Sequence, residues 1–506
     1  MRAFSPNDTL MTVIATPHAR SARRAAVLVP VTALIALHVL WQAWAVGAAQ
    51  YPANYDYDEG VYAETAAAVS AGHRLYAAVF LSQPPLFIGV LGHLFDLFGR
   101  SLETARGVVV GFSALWLAAL AAAAVRTGGR RSAVWTVAIA ASAPVFATAA
   151  HTVQMEAPSE ALAASAFALA LAAGTVAGPK GTSGGTGAWL WAGTGAAAGL
   201  AVMTKLTATT CLVPILAIAL MGSGARALGR AAPRVAALVA GGAVAAGAVI
   251  VWTGSPPQGM WHQAVEFHGA VALVNLIDPA RSTSLLLGFG RANWLLALLG
   301  LTGLAYAGTA WRTGRRGPRD NAIGAAIAAW LAADLATLFF LRPLWPHNLV
   351  ILVAPLALLG GAAVEAWRRA AASKAGAVLL IAAWLAALAG TAVATTPETS
   401  AALGAAAVET AQLVPAGGWV VADDPIVPFL AGREMPPYLC DTSETRMQAG
   451  WLTAAELSSA TGDPRVRGVV LWRGTFREMV PEFVAGALRD FPRRRPWDGG
   501  RGILGR

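Results

Sequence analysis

Charge is scarce in this chain. Asp, Glu, Lys and Arg make up 13% of the residues against 56% hydrophobic ones, and the mean hydropathy is +0.56. A soluble globular chain of 506 residues cannot be that apolar, so this is read as an integral membrane protein. Cysteine is scarcer still. Cys211 falls inside an apolar run and Cys440 in a polar terminal region, a separation that excludes a disulfide framework and a thiolate metal site. The chain shows no internal repeat or heptad pattern, and it has no close ligand spacing such as His-x-x-x-His. Its net charge of +10 comes mainly from arginines in short loops between apolar runs, which is a topological signal and implies no nucleic-acid partner.

Long apolar runs are abundant. About 20 helical residues cross a hydrocarbon core of roughly 30 Å. Eleven spans are predicted, near 25–48, 104–125, 132–150, 157–177, 187–204, 206–222, 234–253, 285–311, 321–341, 347–367 and 375–394. Their Ala- and Gly-rich composition suits close helix packing in lipid. Arginines such as Arg20, Arg23, Arg126, Arg130, Arg230, Arg312, Arg368 and Arg369 fall on one set of loops, whereas Asp56, Asp58, Glu59, Glu64, Glu156 and Glu266 fall on the opposite set. Positive charge is retained inside, so the N-terminus is cytoplasmic and acidic chemistry faces out. The same rule makes residues 49–103 one outer loop of 55 residues, with helices at 61–73 and 85–98 lying at the outer interface.

The predicted organisation is a cytoplasmic segment at 1–24, a transmembrane domain at 25–395 and an extracytoplasmic domain at 396–506. The basic N-terminal lead followed by a long apolar run reads as an uncleaved signal anchor. Gly178–Gly187 reads as a flexible cytoplasmic loop. In the tail, Trp419–Ala422 and Val469–Trp472 read as buried strands, and 400–413, 453–461 and 477–490 as helices, so a small α/β unit is expected.

The most informative motif is the acidic pair Asp58-Glu59, set among Tyr55, Tyr57 and Tyr62 just beyond the first span. It belongs to a series of patches: Tyr57-Asp58-Glu59-Gly60-Val61-Tyr62-Ala63-Glu64, Gln83-Pro84-Pro85-Leu86, Met155-Glu156-Ala157-Pro158, Gly199 to Lys205, and Arg342-Pro343-Leu344-Trp345-Pro346-His347. In order, spacing and outer placement these resemble the GT-C membrane glycosyltransferases, in the branch of dolichyl-phosphate-mannose protein mannosyltransferases and bacterial lipid A aminoarabinose transferases. The tail from Asp423-Asp424-Pro425 to Arg433 is similar to the extracytoplasmic tail of bacterial members. The resemblance implies an all-α polytopic membrane fold with a small α/β tail. It implies transfer of a sugar, with inversion, from a polyprenyl-phosphate donor to a hydroxyl of a cell-envelope glycan, glycolipid or protein at the outer face of the plasma membrane.

Such a reaction needs a carboxylate to take the proton of the attacking hydroxyl and cations or hydrogen-bond donors for the departing phosphate. Asp58 matches the family's first-loop acid and is the candidate base, with Glu59 supporting it or sharing a metal. Both also read as solvated loop acids. Glu156 resembles the second outer acid, and equally suits a helix N-terminus. Lys205 is a candidate phosphate contact or an interfacial anchor, as are Arg342 and His347. Tyr57, Tyr62, Gln83, Pro84 and Pro85 complete the substrate-binding candidates. Glu64, one turn past the pair, reads as a solvated face.

One departure matters: many relatives carry a cation before the Pro-Pro pair, where this chain has Gln83, which shifts the phosphate contact to Lys205, Arg281 or Arg342. A divalent cation held by Glu59, Glu156 and His268 is an open possibility, and no cofactor is named. Two other classes stay in view, a transporter or flippase of lipid-linked sugars and an inactive scaffold of the same fold. Acids crowd one face and Asp334 is the clearest mid-span acid, a distribution that favours a surface reaction site over a transport path.

Overall fold

The computed structural model describes residues 17–48, 50–176, 186–221, 227–275, 278–314, 316–371, 373–497 and 500–506. The first 16 residues and nearly all of the predicted Gly178–Gly187 loop lie outside the described residues. Apolar composition becomes helix here because a backbone in lipid must satisfy its own hydrogen bonds. Among the described residues eight helices are long and apolar enough to cross a membrane: Leu28–Ala48, Leu102–Thr127, Glu156–Gly174, Ala231–Thr253, Trp294–Arg312, Pro318–Phe340, Pro346–Ala370 and Lys374–Ala394. A bent pair, Pro257–Val274 with Pro279–Ala292, makes up to nine. Val251 at 81% and Leu379 at 69% exposure mark the surface left for lipid.

The other three predicted spans are shorter or broken. The 132–150 run divides into Arg130–Ala141 and Pro144–Ala149, because Pro144 has no N–H to continue the first helix. The 187–204 run is the 17-residue helix Thr186–Val202, and 206–222 begins as a 3-10 segment, Leu206–Cys211, before Leu212–Leu220. The 285–311 run also splits, at Asn293, whose Nδ2 donates to the Phe289 carbonyl at 3.0 Å and whose Oδ1 accepts from the Val145 N–H at 3.0 Å. Thr186–Val202 packs on Ala227–Thr253 with almost no gap. A side chain at Gly195 would strike the Leu238 carbonyl, and one at Gly241 the Ala192 carbonyl, so glycine sets that approach.

Two helices of the first outer loop, Tyr57–Ser70 and Leu86–Phe98, pack against each other. The first does not lie open at an interface as expected. Glu59 to Ala68 are all buried, because the tail's Ile426–Leu430 helix seats on it, with Gly60 against the Ile426 backbone. Leu86–Phe98 starts at Pro85, and its Leu86 N–H donates to the Met203 carbonyl at 3.0 Å.

The tail is a four-stranded sheet, β1 (Trp419–Ala422), β2 (Val466–Leu471), β3 (Arg493–Pro496) and β4 (Gly502–Gly505), in the order β1-β2-β4-β3. The β1-β2 pair is parallel, with Val420 opposite Gly468, and the remaining pairs are antiparallel. The arginine run of β3 and the glycines of β4 hide two strands from pattern reading, and Val480-Pro481 divides the predicted 477–490 helix. Helices Ala401–Leu413 and Ala454–Gly462 fall where predicted.

Tail and outer loop are joined by polar contacts. Ser400 N donates to the Tyr51 carbonyl at 2.7 Å, Tyr55 Oη to Asp424 Oδ2 at 2.7 Å, and Trp472 Nε1 to Tyr55 Oη at 3.1 Å. Glu64 corrects the expectation of a solvated acid. It is 1% exposed, accepts from Arg100 Nη2 at 2.6 Å and from Met435 N at 2.8 Å, and Arg100 also donates to the Arg433 carbonyl at 2.9 Å. Glu64→Ala takes the carboxylate partner from Arg100 and leaves the buried Met435 N–H unpaired, a cost on the order of 1–3 kcal/mol. It is expected to lower the melting temperature of the purified protein and speed proteolytic release of the tail; unchanged cleavage would show that the junction does not depend on Glu64.

Candidate active site

The site begins with a helix cap. Asp56 precedes the Tyr57–Ser70 helix and its Oδ1 accepts from the Asp58 N–H at 3.0 Å, which places Asp58 in the first helical turn. Asp56 Oδ2 lies 3.3 Å from His347 Nδ1, and the Gln154 side-chain amide lies 3.2 Å from the same nitrogen. His347 is held by the 3-10 segment Pro346–Leu352, fixed where Trp345 N donates to Asn348 Oδ1 at 2.9 Å. Its Nε2 is 3.7 Å from Glu156 Oε1, and Glu156 in turn pairs with Lys205. Four segments distant in sequence thus converge on one row: Asp56, His347, Glu156, Lys205, with Asp58 beside it.

Asp58 and Glu59 are neighbours in sequence and face opposite ways. Glu59 is fully buried and takes Arg106 Nε at 2.8 Å, Arg106 Nη2 at 2.7 Å and Val153 N at 3.0 Å. It braces the outer helix against the Leu102–Thr127 span and fixes the backbone that carries Gln154. The expected metal set of Glu59, Glu156 and His268 does not converge: Glu59 holds Arg106, Glu156 holds Lys205, and His268 Nε2 is 2.8 Å from the Ser82 carbonyl and 3.4 Å from Gln83 Nε2. Among the described residues the group with a ligand geometry is Asp56, Asp58 and His347, whose donor atoms lie within 4.8 Å of one another. Two carboxylates and an imidazole are a donor set that a divalent cation accepts.

Two cavities meet at His347. The smaller, of about 380 Å³, is lined by Asp58, Tyr62, Gln83, Lys205, Phe267, His268, Phe340, Leu341, Arg342, Pro343 and His347, and also by Asp441, Ser443 and Thr445 of the tail. The larger, of about 640 Å³, is lined by Asn54, Tyr55, Asp56, Thr148, Thr152, Gln154, Ser284, Phe289, Asn293 and His347. Burial in this wall pushes Asp58 up to about 7; the His347 and Lys205 charges act against the rise, and the Asp56 and Glu156 carboxylates add to it. Burial opposes ionisation of Asp56 as well, yet the His347 hydrogen bond and charge hold it below the usual carboxylate range. Burial keeps Tyr62 a neutral phenol well above its ordinary pKa.

This arrangement can be set against known proteins. Residues 82–252 match the family model described as dolichyl-phosphate-mannose-protein mannosyltransferase. The structure is similar to that of ArnT from Cupriavidus metallidurans bound to undecaprenyl phosphate, with a TM-score of 0.63, 16% identity and coverage of 94% of this chain and 97% of that one. It is also similar to the archaeal oligosaccharyltransferase AglB from Archaeoglobus fulgidus in complex with an inhibitory peptide and a dolichol-phosphate, with a TM-score of 0.55, 12% identity and coverage of 90% and 71%. The chain has the GT-C fold. No curated protein sequence matches it.

Within the GT-C fold the predicted residues divide into three groups. Asp58, Tyr62, Gln83, Lys205, Arg342 and His347 line the smaller cavity, and Glu156 adjoins it through Lys205. Tyr57 turns to the tail, where its hydroxyl is 3.3 Å from Thr442 Oγ1 and accepts from Thr442 N at 3.1 Å. Pro84 and Pro85 shape the start of the Leu86–Phe98 helix, and Arg281, the alternative phosphate contact, stacks over Trp345. Asp56, Gln154 and the tail residues were missed. Asp56 could have been found from its capping position two residues before Asp58; nothing local marks Gln154 or the tail residues.

The expected role of Asp58 as a base needs its ionised form, and burial, by pushing it up to about 7, keeps the carboxyl mostly protonated below that pH. Sugar-transfer kcat/KM is expected to rise up to tenfold per pH unit below about 7 and to level off above it. The residual rate of Asp58→Asn should lack that limb; a wild-type profile flat from pH 5 to 8 would contradict the assignment.

Proposed function

We propose that this membrane protein transfers a sugar from a polyprenyl-phosphate donor to a hydroxyl of an envelope acceptor, inverting the anomeric carbon. The observation that carries this reading is the smaller cavity. It offers cationic Lys205 and Arg342, apolar Phe340, Leu341 and Val271, and the carboxylate of Asp58 within one enclosure. A lipid-linked phosphosugar has those three parts: an anion, an isoprenoid and an anomeric carbon. ArnT bound to undecaprenyl phosphate and AglB bound to dolichol-phosphate, both of this fold, support the lipid-phosphate class.

The acceptor hydroxyl enters from the larger cavity and passes Asp56 and His347. Asp58 takes its proton as the oxygen attacks the anomeric carbon, and the bond from that carbon to the phosphate oxygen breaks. The charge left on the polyprenyl phosphate meets Lys205 and Arg342, which carry the role that Gln83 cannot. Glu156 holds the Lys205 ammonium in position, and Glu59 with Arg106 holds the loop from which Gln154 reaches His347. The acceptor side faces outward in the plasma membrane, with the tail over it.

The test is incubation of purified protein with labelled polyprenyl-phosphate sugars and envelope extract. A new glycosidic product is expected, and its absence with every donor would count against the reading. Lys205→Ala should raise the donor KM by about 10–100-fold, the worth of a hydrogen bond to a charged group, with Lys205→Arg intermediate. A Lys205→Ala enzyme with unchanged donor KM would reduce this lysine to a partner for Glu156.

A further inference from the structure

The tail places three polar side chains in the smaller cavity that the reaction above does not use: Asp441, Ser443 and Thr445. Asp441 is 6% exposed. Its Oδ1 accepts from the Ser443 N–H at 2.9 Å and its backbone carbonyl accepts from Arg446 Nη1 at 2.5 Å. The segment is fastened at both sides. Thr442 Oγ1 donates to the Ala422 carbonyl at the end of β1 at 2.8 Å, Thr442 N donates to the Tyr57 hydroxyl, and the Arg446 guanidinium lies 3.8 Å over the Phe80 ring. Ser443 and Thr445 are joined by a hydroxyl contact of 3.2 Å. A rigid acceptor-rich edge therefore faces the cavity that also holds Asp58, and it comes from a different domain than the cations that suit a phosphate.

The Ser443 N–H serves one oxygen of this carboxylate, and among the described residues no hydrogen bond reaches the other, which is costly for a group only 6% exposed unless a ligand supplies a donor. The phosphate cannot be that donor, since it is an anion, and the isoprenoid has no polar hydrogen. The remaining part of the ligand is the sugar ring, whose substituents carry O–H or N–H groups. We infer that Asp441, assisted by Ser443, reads a hydrogen-bond-donating substituent of the transferred sugar, so that the C-terminal domain sets sugar selectivity while the membrane domain binds lipid phosphate. This rests on the lipid-phosphate donor proposed above.

A site built around a hydrogen bond from the substrate rejects an analogue lacking it, because the buried acceptor is then left unpaired. The full-length protein is titrated, by its tryptophan fluorescence, with undecaprenyl phosphate alone and with undecaprenyl-phosphate hexoses and pentoses, including deoxy and amino congeners. Wild type should bind one sugar-bearing lipid more tightly than the bare lipid phosphate. Asp441→Asn should reduce that affinity by about 10–100-fold and leave the bare lipid phosphate unchanged. The congener deoxy at the position read should bind wild type weakly and lose nothing further in Asp441→Asn. Tighter binding of an amino congener would assign the donor as an ammonium, and equal or weaker binding as a hydroxyl, each within the inference. Ser443→Ala, which leaves the carboxylate in place, should shift the same ratio by a smaller factor. If wild type binds undecaprenyl phosphate but its sugar preference survives Asp441→Asn, or if the variant weakens the bare lipid equally, the inference is overturned and the donor reading stands. If wild type binds neither the bare nor the sugar-linked lipids, both fall together.

Discussion

A carboxylate withdrawn from water at the outer end of an apolar bundle must be paired or it destabilises the fold, and this constraint organises the structure. Glu59 is paired with Arg106, Glu64 with Arg100 and Glu156 with Lys205. The pairs join the outer helix to a span, the outer helix to the far end of the outer loop, and the start of the Glu156–Gly174 span to the residue that follows the Thr186–Val202 helix. Asp58, the neighbour of Glu59, has no cation within 4 Å of its carboxylate among the described residues. The three pairs build a frame that holds the fourth acid, half-buried, at the meeting of two cavities.

That frame explains how one site serves ligands of opposite character. Lys205 and Arg342 create a cationic end where an anion is favoured, whereas Asp58 and Asp441 create an anionic end for groups that donate hydrogen bonds. His347 stands between Asp56 and Glu156 and is the residue that lines both cavities. The tail is fastened to the start of the outer helix, since Tyr55 and Tyr57, which flank Asp56, hydrogen-bond to Asp424 and Thr442. Loss of tail docking would therefore move Asp58 as well as uncover it.

How much of this was legible follows from range. Hydropathy marks long helices because desolvation of the backbone acts on every residue of a span, so seven of the eleven predicted runs appear as single long helices and an eighth, 285–311, contains one. The breaks at Pro144 and Asn293 are local events inside apolar runs, and a hydropathy window averages over them. Asp58, Lys205 and His347 were legible as polar residues placed at span ends. The partner of each acid was not. Which carboxylate meets Arg106 or Arg100 is decided by tertiary packing, so Glu59 read as a second catalytic acid and Glu64 as solvated, when both are buried braces. Asp441 lay beyond reach for the same reason: only the docked tail brings residue 441 to the cavity that residue 58 lines.

In the proposed reaction Asp58 guides a single displacement at the anomeric carbon of a sugar held on a lipid phosphate. The most direct measurement is the anomeric configuration of the product by NMR, using a donor of defined configuration and purified protein. Complete inversion is expected, because one attack from the acceptor side, with the phosphate leaving on the opposite side, reverses the centre. A product with retained configuration would require a covalent glycosyl intermediate or a second displacement, and would contradict the assignment of Asp58 as a base.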